Sequence, residues 1–276
     1  MSMSINHNVL ALRAHRNLLA TQGSLDKAVQ RLSSGLRINS AADDPAGLAI
    51  SEKMRAQIAS TEQALSNATY AINLLQTAEG ATSVIDEKLV RMRQLAVEAA
   101  NGTLSDEDRA YAETEFQALK SEITRIAEVT EYNGKSLIDG TYSSTGITFH
   151  VGIHNTDNDK LTVTLDKLTA SGLGIAELTI SDIDSAAAAI STIDVAIKSK
   201  DTARASIGAN IERLTNTITN LQISHENAVA SESQIRDADI ALEMANFVRS
   251  QILLRAGVSM MAQANMVPQT VAGILG

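Results

Sequence analysis

The sequence predicts a mainly α protein: a long antiparallel helical coiled coil or bundle formed by paired N- and C-terminal segments, with a small β-hairpin region in the middle. Three observations lead there. Apolar residues recur at alternating three- and four-residue spacings along most of the chain, which is the seam pattern of packed helices. Only two prolines, Pro45 and Pro268, interrupt 276 residues, so long helices are permitted. The hydrophobic fraction is 44% but aromatics are 3% and Trp is absent, leaving Ala, Leu, Ile, Val and Met to build the core by helix-on-helix packing.

The elements follow in chain order. Ile5, Val9, Leu12, Arg16 and Leu19 form a short apolar stripe at the N-terminus. Asp44 before Pro45 reads as the N-cap and first residue of a long helix, and Asn101-Gly102 reads as its stop. Within that helix Ile58, Thr61, Leu65, Ala68, Ile72 and Leu75, then Ile85, Leu89 and Met92, keep the seam spacing. Ser105, followed by Asp106, Glu107 and Asp108, starts the next helix, the acids suiting the positive end of the helix dipole; Phe116, Leu119, Ile123 and Ile126 are its buried stripe.

Between residues 132 and 180 the character changes. "YNGKSLIDGTYSSTG" is rich in turn residues, and the β-branched runs "ITFHVGI" and "KLTVTL", joined by "HNTDND", predict a hairpin, the sole strand signal in this reading. A helix of about 80 Å over roughly 182–235 follows at 1.5 Å rise per residue, with Ile207, Ile211, Leu214, Ile218, Leu221, His225 and Ala228 as its stripe. The last stripe is Ile240, Met244, Phe247, Gln251, Leu254, Val258 and Met261, with one polar member, and Pro268 is expected to end that helix.

Charge is unevenly distributed. Residues 1–42 hold five cations and one anion, and residues 244–276 hold two arginines and no acid, so the net charge of -9 is carried by an acidic centre. Basic-to-neutral ends around an acidic middle predict ends buried against each other and a solvated centre. No dense basic stripe is present for nucleic acid. After Arg255 the remaining 21 residues are uncharged, yet Gln263, Asn265, Pro268 and Gln269 interrupt any apolar span, so membrane insertion is not expected.

Chemical machinery is absent from the sequence. Without Cys there is no disulfide, thiolate ligand or thiol nucleophile. His150 and His154 lack a third metal ligand, "NTDNDK" lacks the Gly and closing Glu of a calcium loop, and no phosphate loop, nucleophile elbow or zinc-protease motif occurs. Asp43-Asp44 read as caps rather than an acid/base pair, and the sequons at 67–69 and 101–103 fall in a helix and a helix stop. No catalytic residue, metal or cofactor is assigned. The N-terminus lacks the basic and apolar regions of a secretory signal peptide.

"INHNVLALRAHRNL" and "RLSSGLRINSAADDPAGLAISEKMRAQI" resemble the N-terminal signature of bacterial flagellin, and "ASESQIRDADIALEMANFVRSQILLRAGVSMMAQANMVPQTVAGILG" resembles its C-terminal partner. The resemblance covers roughly residues 1–140 and 185–276. It implies an inner coiled-coil domain of residues 1–42 plus 237–276, and an outer helical domain of residues 43–236 including a hairpin at about 140–180. It is similar to a short form without large outer variable domains.

The implied function is a structural subunit that polymerises into the flagellar filament, outside the cell, after unfolded export through the flagellar type III apparatus without a cleaved signal. Lone terminal helices pay a nucleation cost, so their ordering is expected to accompany assembly. The implied partners are copies of the same chain, the flagellar cap and hook-junction proteins, an export chaperone at the C-terminal region, and Toll-like receptor 5.

The implied assembly seam is Ile5, Val9, Leu12, Leu19, Ile240, Met244, Phe247, Gln251, Leu254, Val258 and Met261. "VRMRQLAV" at 90–97 is similar to the receptor-binding segment, with Arg91, Leu95 and Glu115 at its contact positions. A hook–filament junction protein is the alternative, since it shares the terminal helical architecture. An enzyme would need a longer middle carrying a zinc-protease insert.

Overall fold

The computed structural model describes residues 7–275, with side chains described to residue 266. Its elements are α1 (Val9–Ser34), α2 (Pro45–Ala99), α3 (Asp106–Val129), β1 (Glu131–Tyr132), β2 (Lys135–Ser136), β3 (Ile147–His150), β4 (Lys160–Val163), α4 (Ile183–Arg236) and α5 (Ile240–Leu275). The caps explain the boundaries. Asn8 Oδ1 accepts from the Ala11 amide at the start of α1, Asp44 Oδ1 from the Gly47 amide at the start of α2, and Ser105 Oγ from the Asp108 amide at the start of α3. Gly35 ends α1 with φ 71°, a left-handed conformation that only glycine adopts without strain.

Two departures from expectation concern local chemistry. Asn133-Gly134, at φ 50° and 73°, closes a second, two-residue hairpin between β1 and β2, with Tyr132 opposite Lys135. That dipeptide is the standard signal for such a turn, but strands of two residues are too short to show alternation. Pro268 does not end α5, whose backbone continues to Leu275. A proline inside a helix removes one backbone bond but does not by itself terminate it, because its own φ is helical.

By contacts the chain divides into two compact units, one comprising the residues up to Ile58 and from Glu226 onward, the other Ala59–His225. The division falls some way along α2 and α4, inward of the 42/43 and 236/237 turns at which the sequence marks its boundaries.

The Ala59–His225 unit holds a continuous aliphatic core. Ala68, Leu75, Leu89, Met92 and Ala96 from α2 meet Phe116 and Ile123 from α3 and Ala189, Ile193, Ile207 and Leu214 from α4. The β3–β4 hairpin, in register Ile147 with Val163 and Phe149 with Leu161, is laid on the same core through Ile147, Leu161 and Val163. Its backbone is tied to α2, since Asn67 Nδ2 donates to the His150 carbonyl at 3.1 Å. The "HNTDND" link forms a 3-10 turn, with the Asp159 carboxylate accepting from the Thr156 amide and hydroxyl.

Polar clamps close this core at its margins. Arg109, 3% exposed, donates to the carbonyls of Ala99 and Leu104 and to Asp106, joining the end of α2 to the start of α3. Lys200, equally buried, is held between Asp86 and Asp201 at 2.6 Å each. Burial pulls the pKa of that ammonium down, but the hydrogen bonds it donates to Asp201 and Asp86 outweigh it and leave it raised. On α3, Lys120 Nζ donates to the Ala176 carbonyl at 2.7 Å and Glu113 accepts from the Ile180 amide at 2.6 Å, which pins the segment leading into α4.

Leu89 is fully buried where α2 crosses the centre of this core. Leu89→Ala is expected to destabilise the Ala59–His225 unit by about 2–5 kcal/mol, the lost transfer energy plus the cavity left behind. Urea unfolding followed by circular dichroism measures it, and an unchanged midpoint would contradict the packing described.

Candidate assembly surface

The terminal unit is an antiparallel pair, α1 against α5, and the residues between them mix small and large side chains. On α1 the more buried positions are Ala11, Ala14, Leu18, Thr21, Leu25, Ala28 and Leu32, spaced alternately three and four. On α5 they are Glu243, Phe247, Ser250, Leu254, Gly257, Met261 and Ala264, in the same rhythm. A Cβ built on Gly257 would stand 3.0 Å from Leu18 Cδ1, so the helices approach closely enough there that any side chain crowds the partner. Asn8 Nδ2 reaches across to the Ala264 carbonyl at 2.8 Å, and Arg31 Nη1 to Glu243 Oε1 at 2.8 Å.

The ends of the pair are tied by backbone. The Arg37 amide donates to the Arg236 carbonyl at 2.7 Å, the Ala238 amide to the Gly35 carbonyl at 2.9 Å, and Leu36 bridges Asp237. Arg236 also reaches Glu52 at 2.8 Å, and hydrogen bonding to Arg236 holds the Glu52 carboxyl below its ordinary pKa. Asp43 accepts from the amides of Asn39 and Ser40 and from the Ser40 hydroxyl, and those Ser40 bonds lower its pKa; together with Asp44 it organises the turn before α2.

The residues of the assembly seam inferred from the sequence fall on two faces of the pair. Val9, Leu12 and Leu19 on α1, and Ile240, Met244 and Val258 on α5, point away from the pair, with Leu12 66% and Val258 52% exposed. Phe247, Gln251, Leu254 and Met261 are half-buried toward α1. Ile5 lies outside the described residues. The face that meets the partner is the one through Leu18, Leu25 and Leu32 on α1 and Phe247, Leu254 and Met261 on α5, interleaved with Ala, Thr, Ser and Gly that let the helices approach; each helix carries a further apolar stripe that this face leaves outside.

The outward residues make a second surface. Met244, Val248, Ile252 and Leu253 line a shallow apolar groove along α5, and Ile252 is 61% exposed. Val9, Leu10, Leu12 and Leu19 extend the exposed apolar area on α1, and Met260 and Met266 on α5. A cluster of large aliphatic side chains of this size on one helical pair is the signature of a surface made to be covered. Leucines and methionines packing into such a groove would each recover roughly 1.5–3 kcal/mol of burial.

The sequence-inferred receptor residues separate by location. Arg91 on α2 and Glu115 on α3 form an exposed two-pronged pair at 2.7 and 2.9 Å. Hydrogen bonding to Arg91 holds the Glu115 carboxyl below its ordinary value, and the same bond raises Arg91. Leu95 is 2% exposed and belongs to the core, because its position on α2 continues the Leu89, Met92, Ala96, Ala99 face. It is not a surface contact in this structure. Arg93, which the sequence reading did not single out, forms a similar exposed pair with Asp194 at 2.6 Å. Among the described residues no group of His, Asp and Glu is arranged to hold a metal, and no helix is long and apolar enough to cross a membrane.

Fold and surface together define a helical protein whose two chain ends pair with each other and leave an apolar face uncovered. Residues 5–143 match the family described as bacterial flagellin N-terminal helical region, and residues 190–275 match the bacterial flagellin C-terminal helical region. The chain belongs to the bacterial flagellin family. It is 44% identical over 273 residues to a flagellin of Halalkalibacterium halodurans, covering 99% of this chain and all of that one. It is 40% identical to a flagellin of Bacillus subtilis, with 99% and 100% coverage. The crystal structure of Bacillus cereus flagellin superposes with a TM-score of 0.50 at 31% identity, over 56% of this chain and 88% of that chain. A hook-associated protein structure from Vibrio parahaemolyticus, at 18% identity and a TM-score of 0.59 over 71% of this chain and 100% of that one, shares the fold.

Gly257→Val tests the pairing. The added methyls meet Leu18, and overpacking of this kind costs about 1–3 kcal/mol. Limited proteolysis is expected to cut α5 sooner in the variant while the Ala59–His225 unit unfolds at an unchanged midpoint; equal protection of α5 would refute the close approach.

Proposed function

We propose that this chain is the structural subunit of a flagellar filament, polymerising through the outward apolar faces of α1 and α5. The observation that carries the reading is the row of large apolar side chains left exposed on the terminal pair, Leu12, Leu19, Met244, Ile252 and Val258 among them. Membership of a family of structural proteins supports it, as does the relative from Treponema phagedenis called flagellar filament 33 kDa core protein, 40% identical over 99% of this chain. The subunit has no catalytic role in this reading. Export unfolded through the flagellar type III apparatus fits a terminal unit that leaves large apolar residues exposed and whose ordering is completed by neighbours. Cap and hook-junction proteins, and an export chaperone, would engage the same terminal helices. A hook–filament junction protein is the alternative use of the same architecture, disfavoured by full-length identity to flagellins.

Ile252→Asp separates surface from fold. A carboxylate forced into a dry contact without a partner costs several kcal/mol, whereas on an exposed helix position it is tolerated. The variant is expected to retain the helical content of the wild type but to form no filaments when salt-induced or seeded polymerisation is followed by electron microscopy. Normal filaments from it would place the assembly surface elsewhere; failure of the wild-type chain to polymerise under any seeding would favour the junction protein.

A second reading, engagement of Toll-like receptor 5 by the depolymerised subunit, is favoured by the exposed Arg91–Glu115 pair. Leu95 would act from beneath, by packing α2 in place. Arg91→Ala is expected to lower the response of receptor reporter cells several-fold, and an undiminished response would remove this role.

A further inference from the structure

We propose that Asn101, in the turn between α2 and α3, is a site of spontaneous deamidation whose rate is set by the fold. Asn101, Gly102 and Thr103 are all exposed. The Thr103 amide donates to Asn101 Oδ1 at 3.2 Å, closing a ring of atoms that contains the Gly102 nitrogen and keeps it near the side-chain amide carbon. The Gly102 amide itself makes no hydrogen bond among the described residues, so it is not withdrawn into secondary structure. The turn is held rather than loose. The Leu104 amide donates to the Asn101 carbonyl at 3.2 Å, and buried Arg109 grips the carbonyls of Ala99 and Leu104 on either side.

The chemistry needs only water and hydroxide. Hydroxide removes the Gly102 amide proton, and the nitrogen attacks Cγ of Asn101, forming a five-membered succinimide as the C–N bond to the side-chain amine breaks and ammonia leaves. Water then opens the ring at either carbonyl, giving aspartate or isoaspartate. The Thr103 N–H is a preplaced donor to the oxygen on which charge develops in the tetrahedral intermediate, and the ring geometry supplies proximity. The product adds a negative charge just beyond the C-terminus of α2, the end of the helix dipole that disfavours it. Isoaspartate also lengthens the main chain of the turn.

The second Asn-Gly pair is an internal comparison. Asn133 and Gly134 sit at φ 50° and 73° between paired Tyr132 and Lys135, and no amide donates to Asn133 Oδ1 among the described residues. Ring closure there requires rotation that opens the hairpin. An added Cβ would meet no atom within 4 Å at either glycine, but only Gly102 has a φ outside the left-handed range, so Gly102→Ala fits the fold while shielding the nucleophilic nitrogen.

The test uses the full chain held for weeks in mildly alkaline buffer made with heavy-oxygen water, which marks conversion before digestion. Mass spectrometry follows tryptic peptides 94–109 and 126–135, which carry the two sites. In the native chain Asn101 is expected to convert several-fold faster than Asn133, and in strong denaturant the two rates should converge. Gly102→Ala should slow conversion at Asn101 several-fold with helix content unchanged. An unmodified 94–109 peptide, or a native rate ratio equal to the denatured one, would overturn the proposal.

Discussion

Where Gly257 on α5 meets Leu18 on α1, the two helices approach until an added Cβ would stand 3.0 Å from the leucine, and the arrangement of the terminal unit follows from that close contact. Ala11, Ala14, Thr21, Ala28, Ser250 and Ala264 share that interface with Leu25, Leu32, Phe247, Leu254 and Met261. The small residues let the helices approach, and the half-buried leucines, Phe247 and Met261 fill the space between them. A second set of large apolar side chains is turned outward, where only another molecule can cover them. A self-assembling subunit needs this division, since a pair that satisfied all its apolar residues internally would have no reason to associate.

The Ala59–His225 unit follows a different rule. Its core of Leu, Ile, Met and Phe is filled by α2, α3, α4 and a hairpin, and its buried charges are fully engaged: Lys200 by two aspartates, Arg109 by two carbonyls and a carboxylate. Buried ions of this kind are costly unless every donor is used, so they specify which segments meet more than they add stability. Arg109 in particular fixes the α2–α3 turn, and that is why an exposed Asn-Gly dipeptide there has a defined geometry. One buried cation thus shapes both the packing of the helices it joins and the reactivity of the turn beside it.

Much of the fold was legible in residue spacing. The seams through Ile58, Thr61 and Leu75, through Phe116 and Ile123, and through Ile207 and Leu214 are buried or half-buried as the three-and-four rhythm implies. The caps at Asp44 and Ser105 were readable because a short polar side chain before a helical run has few other uses. The β1–β2 hairpin was not, since two-residue strands leave no periodicity, although its Asn-Gly turn was in plain view. The continuation of α5 past Pro268 was hidden for another reason: proline lowers helix propensity locally, and propensity alone does not weigh the rest of the helix against it.

The candidate surface was legible as a set of residues but not as a face. Hydrophobic spacing picks out Val9, Leu12, Leu19, Met244 and Val258 because they are large and periodic, and by itself the chain determined that its two ends are apolar, helical and matched. Only the tertiary structure decided that α1 and α5 meet through the stripes of Leu18 and Leu25 and of Phe247 and Leu254, leaving Leu12, Leu19, Met244 and Val258 free, and that Leu95 lies inside while Arg91 and Glu115 lie outside. Periodicity reports that a helix has an apolar stripe. Which stripe packs first depends on how closely two backbones can approach, and that is a property of both helices together.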